Sequence, residues 1–258
     1  MRPLPLPQWM RQYYSTTPSI ISSIREHPAG VEPTLESIPQ LNFSMTKREP
    51  LSSIIRDMQE IGFQKWGFVI YRCAYADNAQ WESYLEFFKA SVKQELEALE
   101  LSSLLWKYLE WTIVEDRQSL DGASKQRVRD EFTHWAIDRA RIEPDIAETP
   151  RFRYCIYIDQ KCLDTVDQYE TWVATGAEGK LKNVVCAVLD KDCGLSGRGR
   201  RGFPSVEGCV RSDTGWMYMT IKCVPDVYNR LSYQALAEAD YERPPAVWPL
   251  ADPMPYEA

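Results

Sequence analysis

The stretch WGFVIYRCAY, residues 66–75, decides the fold. In an extended chain successive side chains point to opposite faces, so Trp66, Phe68, Ile70 and Arg72 share one face while Val69, Tyr71 and Cys73 share the other. Both faces are largely apolar, which makes this a central strand covered on both sides. Asp77 or Asn78 can cap a helix directly after it, in which Trp81, Tyr84, Leu85, Phe88, Val92, Leu96 and Leu99 recur at helical spacing. Upstream, Pro50 suits the first turn of a helix reaching Ile61, and Gly62 ends it.

Working outward, residues 109–114 read as a short second strand. A helix introduced by Ser119 or Asp121 follows, to about Arg141, with Val128, Phe132, Trp135 and Ala136 on its core stripe. Residues 152–158 form a third strand, residues 163–173 a short helix, residues 183–189 and 216–224 two further strands, and residues 225–238 a last helix. Runs of this kind predict an α+β domain: a mostly antiparallel sheet with helices packed on one face, ferredoxin-like or α+β-barrel-like with decorations. A Rossmann-type sheet is the alternative, but no Gly-rich turn follows a strand. The expected organisation is a Pro-rich arm over 1–45, one domain over 46–240 and a Pro-rich tail over 241–258. In the arm, Arg2, Arg11 and Arg25 without an acid before Glu26 also fit a transit peptide, whose helix the early prolines weaken.

A formal charge of -7 over 258 residues argues against general affinity for nucleic acid or anionic membrane. No apolar run reaches the length of a membrane span, and no segment reads as a signal peptide, so a cytoplasmic protein is expected. Of the seven cysteines, Cys73, Cys155, Cys186 and Cys223 sit in apolar runs and are read as reduced, whereas Cys162, Cys193 and Cys209 lie outside such runs and are open to pairing or reaction. With only His27 and His134, and no C-x-x-C, neither metal nor other cofactor is expected. A homodimer is compatible with the sequence, which leaves the oligomeric state open.

Arg72 is the most informative polar residue, because its strand neighbours are apolar. A buried guanidinium needs an acceptor, which is either Glu115, Asp116 or Asp159 in a salt bridge, or a ligand carboxylate or carbonyl. On the third strand Tyr157 and Asp159 share the parity of Cys155 while Tyr154 lies on the other face. Trp216 and Tyr218 form a similar row further on. Two such rows facing one cavity make an aromatic wall with a few directed polar groups, the usual composition of a small-molecule site. Arg72, Tyr71, Asp159 and Tyr218 are therefore the catalytic candidates, and Trp66, Phe68, Tyr154, Tyr157 and Trp216 the ligand-binding ones. The segment 191–213 is long and glycine-rich, with the cationic core GRGRRG at 197–202. It reads either as a surface loop or as a lid whose Arg198, Arg200 and Arg201 meet an anionic ligand.

The combination of WGFVIYRCAY, WTIVED, DEFTHW, FRYCIYID and GWMYM over residues 60–230 resembles a family of hypothetical proteins of filamentous fungi. The resemblance implies a shared fold and a fungal setting, and carries no catalytic motif across. Fungal proteins of this size include cofactor-free cyclases of secondary metabolism, Diels–Alderases among them. The expected function is accordingly a cofactor-independent cyclase or isomerase acting on a small apolar substrate, since proximity and restricted conformation alone lower such barriers. A non-catalytic small-molecule-binding or protein-interaction protein is the alternative.

Overall fold

The computed structural model describes residues 20–28, 30–42, 49–178, 182–193, 201–249 and 252–254. Its helices are α1 (Ile20–Arg25), α2 (Ser52–Ile61), α3 (Asn78–Ala98), α4 (Ser102–Leu105), α5 (Arg117–Leu120), α6 (Lys125–Ala140), α7 (Pro150–Arg153), α8 (Gln160–Ala174) and α9 (Val224–Leu231). Its strands are β1 (Val69–Arg72), β2 (Thr112–Val114), β3 (Tyr154–Ile158), β4 (Val185–Asp190), β5 (Arg201–Val206), β6 (Cys209–Arg211), β7 (Trp216–Thr220), β8 (Ala246–Trp248) and β9 (Asp252–Pro253).

Local chemistry sets the main boundaries. Asp77 Oδ1 accepts hydrogen bonds from the Ala79 and Gln80 amides and opens α3. Asp159 accepts from the Cys162 amide and opens α8, and the Ser124 hydroxyl accepts from the Arg127 amide and opens α6. Gly62, in the left-handed region at φ 79°, closes α2 by donating to the Met58 carbonyl. Gly67 explains why β1 is shorter than the apolar stretch that announces it. At φ 104° it turns the chain after Trp66, and a Cβ there would lie 2.6 Å from the Leu109 side chain.

Seven strands form one sheet in the order β2-β1-β3-β4-β7-β8-β9. The expectation of a mostly antiparallel sheet is overturned: β1 is parallel to both β2 and β3, and β7 is parallel to β8, while β3–β4, β4–β7 and β8–β9 are antiparallel. Among the described residues helix also outweighs strand, 48% against 17%, so the fold is not sheet-dominated and neither a ferredoxin-like nor an α+β-barrel-like arrangement describes it.

The helices do not share one face either. Tyr71 and Arg72 are neighbours on β1 and point to opposite sides: the Tyr71 ring meets Phe132 of α6 at 6.3 Å, and the Arg72 guanidinium lies 5.1 Å from the Trp81 ring of α3. Strand order supplies the reason. The connection from β1 to β2 runs one way along the sheet, and the connection from β2 to β3 returns past β1. Two right-handed parallel crossovers running in opposite directions place their helices on opposite faces. A linear sequence of elements carries no strand order, so this was invisible to periodicity.

The face of Arg72 is closed by α3, α8 and α9, with Phe68 against Tyr228 at 4.9 Å and Phe87 against Tyr169 at 4.9 Å. Tyr84 threads between layers and donates to the Val185 carbonyl at 2.8 Å. On the other face α6 covers β1 and β3. In place of a further helix, the hairpin β5–β6 lies beyond it, toward β7. Within the N-terminal stretch α1, Leu35, Ile38 and Leu41 pack into the main core, and near the C-terminus β8 pairs with β7. Among the described residues no helix is long and apolar enough to cross a membrane.

Candidate functional site

One registered row crosses four strands on the α6 face: Tyr71 of β1, Tyr157 of β3, Ala187 of β4 and Tyr218 of β7. Trp216 lies one step along β7 on the same face, paired with Leu189, which is paired in turn with Cys155. The small Ala187 in mid-row leaves room between the tyrosines on either side. Here the sheet is floored by the N-terminal turns of α6 and roofed by the tip of the β5–β6 hairpin, which together enclose a cleft of about 610 Å³. That volume falls within the range of small-molecule sites.

Lys125 is the centre of the cleft. Its side chain is 4% exposed, with Nζ 3.9 Å from the Trp216 ring centre, 4.8 Å from that of Tyr157 and 5.9 Å from that of Tyr218. Its acidic partner is Glu207, whose Oε1 lies 2.5 Å from Nζ. Three ring faces and one carboxylate are the elements that hold an ammonium out of water, each shielded cation–π contact contributing roughly 1–2 kcal/mol. One turn further along α6, Arg129 is buried and donates to three carbonyls, those of Asp190, Thr214 and Gly215, which fixes the approach to β7. Gly215 is required at this point, since its φ is 69° and a Cβ would lie 1.9 Å from Cys193 Sγ.

The remaining lining residues include Asp159, Lys161, Cys193, Cys209, Arg211 and Asp213. Asp213 is tied to the backbone through the Gly215 amide at 2.7 Å, as Asp159 is through Cys162 at 3.1 Å. The Tyr157 hydroxyl donates to the Ala123 carbonyl, and burial, reinforced by the Asp159 charge, raises its pKa. Burial likewise pushes the Cys193 thiol up to about 11, so it stands as a thiol at neutral pH. The hairpin is clamped from outside by Arg243, which donates to the carbonyls of Pro204, Cys209 and Arg211.

Of the residues singled out from the sequence, Tyr157, Asp159, Trp216 and Tyr218 line the cleft. Tyr71 shares their face but is covered by Phe132. Trp66, Phe68 and Tyr154 are core residues, the first two packed under Tyr228. Arg72 is also elsewhere: it donates to the Ala74 carbonyl and to Asn78 Oδ1, lies 3.7 Å from Glu115, and sits over the Tyr75 ring at 4.3 Å. Arg201 opens β5, exposed and outside the cleft lining. Arg198 and Arg200 lie outside the described residues.

Lys125 and Glu207 were not singled out, although each left a trace in the sequence. The helix beginning SKQRVR at Ser124 places three cations in its first five residues, against the positive end of the helix dipole. Glu207-Gly208 between two apolar residues is a two-residue hairpin turn. All seven cysteines are free, and among the described residues no group of three His, Cys, Asp or Glu side chains is placed to hold a metal ion. Comparison of the chain with family models, with curated proteins and with solved structures returned no match.

Proposed function

We propose that the protein is a cofactor-independent enzyme that isomerises or cyclises a small organic molecule in the cleft around Lys125. The observation that carries this reading is the shielded ammonium, met by three rings and a single carboxylate. A cation out of water stabilises negative charge developing on a bound carbonyl oxygen far more than the same cation in solvent. Isomerisation and ring closure redistribute electrons within one molecule, so a site that restricts conformation and polarises one oxygen is sufficient. Lys125 is assigned the polarising role, Asp159 at the rim the proton transfer, and Trp216, Tyr157 and Tyr218 the shaping of the wall. Lys161, Arg211, Asp159 and Asp213 in the lining favour a substrate with an apolar skeleton and at least one polar group over a pure hydrocarbon. Secondary metabolism is proposed as the setting of such chemistry on the resemblance in sequence alone.

A non-catalytic binding protein is the second reading, favoured by the way Arg129, Tyr157 and Asp213 spend their polar atoms on the protein's own backbone. Isomerisation and cyclisation conserve mass, which separates the two. Purified protein is incubated with a fungal metabolite extract and the mixture is followed by chromatography with mass detection. Conversion of a compound into an isomer of equal mass by the native protein, and not by Lys125→Met, supports the enzyme. Retention of a compound on the protein without mass-neutral conversion supports binding alone.

A further inference from the structure

Resting on the cleft as the ligand site, we infer that the Glu207 carboxylate is an internal stand-in for the anionic group of the ligand. The cleft takes small molecules bearing a carboxylate, and that carboxylate displaces Glu207 from Lys125.

The pair is asymmetric. Lys125 is buried, whereas the Glu207 side chain is 51% exposed, so the carboxylate can swing into water while the ammonium stays behind. Once Glu207 leaves, the ammonium needs another anion, because an unpaired buried charge is strongly disfavoured. The other two acids in the lining are held by backbone amides, Asp159 by Cys162 and Asp213 by Gly215. An incoming carboxylate is the simplest replacement, and the cleft of about 610 Å³ in front of Lys125 has room for it once the Glu207 side chain has turned out.

The position of Glu207 supports the same conclusion. It is the first residue of the two-residue turn Glu207-Gly208, closed by the pairing of Val206 with Cys209, and its φ is 50°. Left-handed backbone at that position favours Asn, Asp or Gly, so a longer acid is chosen against local preference. What Glu supplies is reach, a carboxylate delivered from the hairpin tip to a buried ammonium. Anchorage of the hairpin does not require it, because Arg243 already holds three of the hairpin carbonyls. A contact that is unneeded for anchorage, locally disfavoured and exposed on one side is suited to exchange.

The test uses phenylacetate and its neutral isostere phenylacetamide, titrated calorimetrically into the full chain and into Glu207→Gln, Lys125→Met and Lys125→Arg. The unfolding midpoint of each variant without probe serves as the fold check. Removing the internal competitor is expected to tighten phenylacetate by roughly ten-fold in Glu207→Gln, as for a latch open about a tenth of the time, and to leave phenylacetamide unchanged. Lys125→Met abolishes the preference for the acid over the amide, and Lys125→Arg, which keeps the charge, retains it. Unchanged or weaker phenylacetate binding in Glu207→Gln overturns the displacement. If acid and amide bind equally everywhere, the displacement fails and the cleft reading survives. If neither probe binds the native chain nor Glu207→Gln, both fail together.

Discussion

The Arg72 guanidinium lies 3.7 Å from the Glu115 carboxylate, and Glu115 in turn accepts a hydrogen bond from the Trp81 indole at 2.8 Å. This triangle ties β1, α3 and the end of β2 together on the face away from the cleft. The sequence posed Arg72 as either a ligand-binding cation or a structural one, with Glu115 among its three possible acids. Its contacts are those of a structural clamp. Replacing Arg72 by Met removes charge-assisted bonds to Ala74 and Asn78 and the stacking on Tyr75. The expected loss is roughly 2–4 kcal/mol of unfolding free energy, each such bond being worth about 1.5–3 kcal/mol before relaxation. Urea denaturation measures it, and a loss below about 0.5 kcal/mol would mean that the clamp carries no load.

Lys125 should behave in the opposite way. Met fits the same ring-lined slot and removes a buried charge, while the half-exposed Glu207 is free to turn to water. Lys125→Met is therefore expected to leave stability within about 1 kcal/mol of the native chain or to raise it, as replacement of buried ion pairs by apolar side chains often does. Lys125→Ala, which leaves a void among Trp216, Tyr157 and Tyr218, is expected to cost roughly 2–3 kcal/mol. A large loss in Lys125→Met would make the residue structural.

Gly215→Ala is expected to be among the most damaging single-methyl changes in the chain. The added Cβ would meet Cys193 Sγ at 1.9 Å and Cys193 Cβ at 2.0 Å from a backbone at φ 69°. Strain and overpacking together cost about 2–4 kcal/mol. Adding Cys193→Ala removes the sulfur but keeps the Cβ, so the double variant should recover only part of the loss. Thermal unfolding of the single and double variants checks this.

Stability should fall at alkaline pH. Burial raises the pKa of the Cys73 thiol to about 12 and that of the Tyr154 phenol to about 12, and it also raises those of the Cys155, Cys162 and Cys186 thiols. Above about pH 9 the unfolded chain releases these protons while the folded chain keeps them, so the unfolded state binds fewer protons and stability drops as pH rises. Each fully engaged group contributes a slope of roughly 1.4 kcal/mol per pH unit. Denaturation midpoints should be level near pH 7–8 and decline progressively from pH 9 to pH 12. A flat profile to pH 11 would contradict the burial of these thiols.

How much of this was legible depends on the range of the information needed. The cap Asp77, the stripe of α3 and the central position of β1 are local, and the sequence pattern revealed their outlines. The parallel pairing of β1 with β2 and β3 is not local: it is fixed by the direction in which each connection runs, which no window of residues encodes. The cleft was half legible. Tyr157 and Trp216–Tyr218 could be recognised as polar-aromatic rows, but that they meet depends on β4 lying between them with Ala187 in register. Lys125 and Glu207 are 82 residues apart and meet only because the hairpin folds back over α6. Strands β8 and β9 escaped because Pro244, Pro245 and Pro249 around β8 and Pro253 in β9 read as breakers, although an edge strand such as β9 tolerates a proline.

The most direct measurement is ligand-observed NMR of a small polar fragment library against the native chain and against Lys125→Met. If the cleft of Lys125, Trp216, Tyr157 and Tyr218 is the functional site, the fragments that bind should compete with one another, and those carrying a carboxylate or carbonyl should lose their signal in Lys125→Met. Fragments that bind without mutual competition and respond equally to both proteins would place the site elsewhere.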